Sequence, residues 1–421
     1  MTPSGTVNTL YTFTGGADGK TPLAPPIQGI DGNFYGTASQ GGSSGGFGTV
    51  YKITPSGTFT TLHSFADATD AAFPSAPLVQ ATNGSFYGTT EAGGSFNEGN
   101  VFKITASGTF TTLFTFDDTH GGNPFDGLIQ GSDGNFYGTA KVHGAGTDGV
   151  VFKITPAGAI TVLHSFAGTG DGADPVGGLV QATDGNLYGT TSMATGTSGC
   201  GTIFRISTSG TNFATLFTFP SDGSKGCNPQ VTLVQHTNGI LYGDTGGGGT
   251  ANGGVLFSLN ASLPAFVSLL PTSGKVGKTI EFLGQGFTGT TKVSFNGTPA
   301  IFTVVSSTFL TATVPNGATT GFVTVTTPSG TLTSNKKFRV TPQITTFNPT
   351  SGPVGTSVTI TGVSLTQTTK VSFGGVKATT LKVNSDTQVT ATVPTGAMTG
   401  KITITTTGGT ATSAGAFTVT P

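Results

Sequence analysis

The chain has 421 residues, of which only 8% are charged, 69 are glycine and 34% are hydrophobic. Little charge with this much apolar residue excludes general disorder, which has the reverse composition, and glycine without a three-residue period excludes collagen. A net charge of −1 with no basic block gives nucleic acid no electrostatic footing, and no apolar run reaches the 18 residues of a membrane span.

In chain order, residues 5–13 read first as a strand, Gly5-Thr-Val-Asn-Thr-Leu-Tyr-Thr-Phe13. A repeat of about fifty residues follows. Phe34-Tyr35-Gly36-Thr37 returns around Tyr87, Tyr137, Tyr188 and Tyr242, at spacings of 52, 50, 51 and 54. A second landmark keeps the same period: Gly48-Thr-Val-Tyr-Lys-Ile53, Gly99-Asn-Val-Phe-Lys-Ile104, Gly149-Val-Val-Phe-Lys-Ile154, Gly201-Thr-Ile-Phe-Arg-Ile206 and Gly254-Val-Leu-Phe-Ser-Leu259. Each repeat offers up to four short runs, A to D, at 78–81, 85–90, 100–105 and 109–116 in the second copy. They are rich in Val, Ile, Phe, Tyr and Thr, which suit a pleated, half-buried surface. Four strands per fifty residues describe a propeller blade.

The fifth repeat has runs A, B and C but no D. Residues 5–13 match 108–116 in type, so they are expected to complete the last blade, which would leave no open edge. The expectation is an all-β chain: a closed five-bladed β-propeller over 1–262, closed by the N-terminal strand, then two immunoglobulin-like β-sandwiches over 263–341 and 342–421. The sandwiches come from a second period. Pro271-Thr-Ser-Gly-Lys-Val-Gly277 returns as Pro349-Thr-Ser-Gly-Pro-Val-Gly355, and Thr291-Lys-Val-Ser-Phe295 as Thr369-Lys-Val-Ser-Phe373. Each copy holds about seven alternating strands, as such sandwiches do.

The Tyr-Gly-Thr-Thr, Gly-Thr-Val-Phe-Lys-Ile-Thr and Thr-Leu-His-Ser-Phe pattern of residues 5–260 resembles the Gloeo-Verruco repeat of secreted bacterial proteins. The Pro-Thr-Ser-Gly-x-Val-Gly, Val-Ser-Phe and Thr-Val-Pro pattern of 264–421 resembles two IPT/TIG domains. The resemblances imply a surface or secreted protein with sandwich spacers, and neither carries a catalytic residue that transfers. MTPSGTVNTL is not a signal peptide, so a secreted precursor is expected to have a leader ahead of it.

The A–B and C–D connections are tight, with Asp-Gly or Ser-Gly to supply positive φ. The B–C and D–A connections are long, Gly-rich and different in every repeat. In a propeller they emerge on one face, and loops on a rigid scaffold commonly carry function. Thirteen of the 18 carboxylates fall there: Asp18, Asp67, Asp70, Glu91, Glu98, Asp117, Asp118, Asp126, Asp148, Asp171, Asp174, Asp222 and Asp244. Their bland role is to keep a nearly uncharged propeller soluble. From this face the candidate ligand-binding residues are Asp117, Asp118, His120, Asp126, His143, Asp171 and Asp174. Carboxylate pairs serve glycoside acid–base chemistry or hold Ca2+, the cation these loops suggest. No motif assigns a metal, and no catalytic residue is named.

Gln28, Gln80, Gln130, Gln181 and Gln235 recur on the innermost strand, where they either line the central channel or satisfy backbone groups between blades. His63 and His164 stand in the aromatic slot of Tyr11, Phe114 and Phe217. Tryptophan is absent, which counts against a lectin, but Phe73, Phe96 and Phe125 lie in the loops. Cys200 and Cys227 fall in adjacent loops of one face and are expected to form a disulfide. The expected function is a bacterial binding or adhesion protein, extracellular or on the cell surface, with a glycan or surface polymer as partner. The alternatives are an extracellular polysaccharide-acting enzyme and a purely structural surface component.

Overall fold

The computed structural model describes residues 5, 7–68, 70–81, 83–195 and 199–421. Every regular element in it is a strand, and among the described residues no helix is long and apolar enough to cross a membrane. The chain divides into two compact units, residues 1–236 with 240–263, and residues 237–239 with 264–421.

Among the described residues the first unit holds one antiparallel sheet per repeat, with a further two-stranded sheet, Thr169–Ala173 with Met193–Thr195, in the loops of the fourth repeat. The sheet of the third repeat is typical, with strands Ile129–Gln130, Phe136–Ala140, Val150–Ile154 and Ile160–Ser165 in sequential order. Its register explains the two landmarks. Gly138 pairs with Phe152, and a Cβ on Gly138 would lie 2.7 Å from Phe152 Cζ and 2.9 Å from Leu128 Cδ2. The phenylalanine ring therefore lies across the glycine, and only glycine admits it. The same crossing occurs at Gly36 with Tyr51, Gly88 with Phe102, Gly189 with Phe204 and Gly243 with Phe257. Strands C and D slip register at one point in each of the first four sheets, between Val50 and Tyr51, Val101 and Phe102, Val151 and Phe152, and Ile203 and Phe204. Such a bulge sharpens the strand twist.

Consecutive sheets are joined by repeated contacts. Tyr35 stacks on Phe86 and Tyr87 on Phe136, each with centroids 4.0 Å apart. The threonine after Tyr-Gly donates to a carbonyl of the next sheet: Thr37 to Ala76, Thr89 to Asp126, Thr139 to Gly177 and Thr190 to Val231. Three of the recurrent glutamines also bridge sheets, as acceptors. Gln80 accepts from Ile30 N at 2.9 Å, Gln181 from Ser132 N at 2.8 Å and Gln235 from Thr183 N at 3.1 Å. These amides join backbone between neighbouring sheets.

The fifth sheet departs from expectation. It has three strands, Val234–Gln235, Leu241–Thr245 and Val255–Leu259. Among the described residues, 7–14 lie in no strand and none of them pairs with the fifth sheet, so the expected ladder from 5–13 is not shown; Thr6 of that segment lies outside the described residues. Leu256 is consequently 80% exposed, where its counterparts Val50, Val101, Val151 and Ile203 are buried. At the seam that follows, Asp244 stands in place of the donor threonine. An ionised carboxylate only accepts, so it cannot make the bond that links the other sheets. The N-terminal segment is instead anchored on the first sheet, with Tyr11 stacked on Phe59 at 4.0 Å.

The second unit has two sandwiches, each with its own core. In the first, Thr279–Leu283 and Val323–Thr327 bury alternate residues, the period of a half-buried strand, around Phe282, Phe295 and Phe338. In the second, Ser357–Val363 and Gly400–Thr406 alternate likewise around Ile360, Phe373, Ile404 and Phe417. Gln367 of the second accepts from Thr320 N of the first at 2.8 Å and donates to Thr320 O at 3.3 Å.

Candidate ligand-binding face

The B–C and D–A loops leave the same end of each sheet in the first unit, because B and D run in the same direction. Three D–A loops are fastened by one device. An aromatic or histidine ring of strand D, or of the N-terminal segment, holds the carboxylate seven residues later: Tyr11 with Asp18 at 2.8 Å, His63 with Asp70 at 2.6 Å and His164 with Asp171 at 3.1 Å. Each carboxylate also accepts a backbone N–H four residues earlier, from Thr14, Ala66 and Ala167. Each ring stacks on a phenylalanine, respectively Phe59, Phe110 and Phe213. The hydroxyl and backbone N–H of Thr14 hold the Asp18 carboxyl down at about 2. Burial pulls the His164 ring below its ordinary value, against the opposing pull of Asp171.

Asp171 therefore fastens a loop in this structure. Asp117 is similar, since its Oδ1 accepts from Thr119 N, His120 N and His120 Nδ1 at 2.8–2.9 Å. Burial pushes the Asp117 carboxyl up, but these bonds outweigh it and the net shift is downward. Asp126 reaches across three repeats, accepting from Gly127 N and Gly178 N at 2.6 Å and from the Thr232 hydroxyl at 3.0 Å. Burial raises the Asp174 carboxyl, with Lys141 opposing and Asp148 adding to the rise. Asp118 is different, with a side chain 86% exposed. It lies 3.9 Å from His143 Nδ1, and His143 Nε2 lies 3.2 Å from Glu98 Oε1. Residue spacing brought out Asp118 and His143, but not their meeting with Glu98, which comes from the preceding B–C loop.

In each D–A loop one proline follows a residue with positive φ: Thr21, Phe73, Asn123, Asp174 and Asn228. This backbone is uncommon outside glycine, and the residue before proline normally favours extended backbone. Sequence alone gives no sign of it. At Phe73 the ring is left 37% exposed, and Phe125 and Phe96, in neighbouring loops, are 47% and 61% exposed. At the opposite end of the sheets the tight turns are structural. Asp31, Asp133 and Asp184 accept from the hydroxyls of Tyr35, Tyr137 and Tyr188 at 2.7–2.9 Å. Burial, then Asp184, pushes the Tyr188 hydroxyl up to about 12. Cys200 and Cys227 are bonded to each other, Cα atoms 4.1 Å apart, and join the B–C loop of the fourth sheet to the chain entering the fifth.

No curated protein matches the chain. Among solved structures, SGBP-B from a complex xyloglucan utilization locus in Bacteroides uniformis is 22% identical, covers 36% of this chain and 48% of its own, and has a TM-score of 0.18. A surface glycan-binding protein from Prevotella bryantii is 16% identical over 38% of this chain and 40% of its own, with a TM-score of 0.27. The chain thus spans less than half the length of either. A gluconolactonase from Xanthomonas campestris is 14% identical over 71% of this chain and 88% of its own, with a TM-score of 0.34. The IPT/TIG domain matches residues 264–340 and 342–419. The Gloeobacter/Verrucomicrobia repeat matches residues 1–132 and 115–298, so together with the five copies of the glycine–aromatic crossing, the chain belongs to the Gloeobacter/Verrucomicrobia repeat family and carries two IPT/TIG domains.

Proposed function

We propose that this is an extracellular or cell-surface binding protein whose repeat unit presents a glycan-binding face and whose two sandwiches act as a spacer. The observation that carries this reading is the exposure of Phe73, Phe96 and Phe125 on adjacent loops among carboxylates. A flat exposed ring packs against the apolar face of a sugar, while carboxylates accept from its hydroxyls. Phe96→Ala and Phe125→Ala, screened against soluble polysaccharides by affinity electrophoresis, are expected each to weaken retention by roughly tenfold, the scale of losing an aromatic anchor. Unchanged retention in the double variant would refute the reading.

The finer architecture we propose is a closed five-bladed propeller, with residues 5–13 taking the free edge of Val255–Leu259. The seat of the N-terminal segment supports it. A Cβ on Gly57 would meet Leu10 O at 2.8 Å, just as Cβ atoms on Gly108, Gly158 and Gly210 would meet the carbonyls of Leu62, Leu113 and Leu163 in strand D of the preceding sheet. The segment thus occupies the strand-D position ahead of the first sheet, and the fifth sheet lacks strand D. Asp244 leaves that seam without its threonine bond, so closure relies on strand pairing and on burial of Leu256. Hydrogen exchange at the outward-facing amides of Val255–Leu259 should be slowed roughly 100-fold or more. Exchange at the rate of free peptide would sink the closed ring.

A further inference from the structure

We propose that Glu98, Asp118 and His143 form a site for one divalent transition cation. The three residues come from the B–C loop of the second sheet, the connection from second to third, and the B–C loop of the third. One ligand atom from each lies within 4.8 Å of the other two. The imidazole stands between the carboxylates, with Nε2 3.2 Å from Glu98 Oε1 and Nδ1 3.9 Å from Asp118 Oδ1.

An independent observation points to a ligand. Glu98 Oε2 is buried and has no hydrogen-bond partner, on a side chain only 17% exposed. A buried carboxylate oxygen left bare is costly, and a cation bound there would satisfy it. Gly122 makes the room. A Cβ at that position would collide with Glu98 Oε2 and lie 3.1 Å from His143 Cδ2. The neighbouring His120 is engaged with Asp117 and stands outside the set.

The framework is held independently of any cation. Asn123 N donates to Glu98 O at 2.9 Å, Gly144 N to Asp118 O at 2.9 Å and Gly122 N to Val142 O at 2.8 Å, so each loop is tied to another. His143 is fixed in left-handed backbone at φ 63°. Supporting bonds of this kind pre-organise a site, while the exposed Asp118 side chain is free to turn inward. One imidazole nitrogen with two carboxylate oxygens suits zinc and similar cations, whereas Ca2+ takes oxygen ligands and usually six or more. Three protein donors leave a coordination position for water or a ligand oxygen.

The test is calorimetric titration of the metal-free, untagged full chain with ZnCl2, and with CaCl2 in parallel. The expected result is one zinc per chain, not displaced by excess calcium. His143→Asn and Glu98→Gln should each weaken zinc binding by at least about tenfold. Asparagine tolerates left-handed backbone, so His143→Asn keeps the loop, and Asp118→Asn, at an exposed side chain, should also weaken binding with the fold undisturbed. No saturable zinc binding would overturn the proposal, as would wild-type affinity in both His143→Asn and Asp118→Asn.

Discussion

Phe152→Ala is expected to destabilise the repeat unit by about 3–5 kcal/mol, the range for removing a buried phenylalanine. Phe152 is fully buried. Its ring lies across Gly138 and meets Phe116 edge-on at 5.1 Å. Gly138 has no side chain to move into the space, so the cavity would stay open and its lining would lose its contacts. The readout is unusually clean. There is no tryptophan, and all seven tyrosines lie before residue 263, so tyrosine fluorescence during urea unfolding reports the repeat unit and not the sandwiches. Phe125→Ala, at a ring 47% exposed, should shift the same transition by under about 0.5 kcal/mol. A loss below about 1 kcal/mol for Phe152→Ala would show that the glycine–aromatic crossing is not the packing unit of these sheets.

Replacing Cys200 and Cys227 together by serine should cost about 3–4 kcal/mol in the same assay. The cysteines are 27 residues apart, and releasing a loop of that size returns this much chain entropy to the unfolded state. The effect is expected in the transition of the repeat unit only, because both cysteines lie in the first unit. Dithiothreitol should lower the wild-type midpoint to that of the double serine variant and leave the variant unmoved. Two alkylatable thiols in unreduced protein, or a midpoint indifferent to reductant, would contradict the bond.

The sequence by itself determined the all-β class, the five repeats and the two sandwiches. These rest on local chemistry repeated at fixed intervals: β-branched and aromatic runs, Asp-Gly turns, and a glycine set opposite an aromatic at constant offset. Repetition makes such signals legible, because a residue that recurs five times must meet the same neighbour five times. Tertiary structure decided what does not repeat. Asp117 and Asp171 read as ligand groups in the loops, yet hydrogen bonds from nearby backbone and rings engage them. Glu98, Asp118 and His143 stand 20 and 25 residues apart in the chain, and their meeting depends on how three loops fold over the seam between two sheets. Residues 5–13 carry the pattern of a strand, but a strand needs a partner edge. Whether that edge is filled depends on long-range pairing that local pattern does not specify, and Asp244 stands where threonine donates across the four preceding seams.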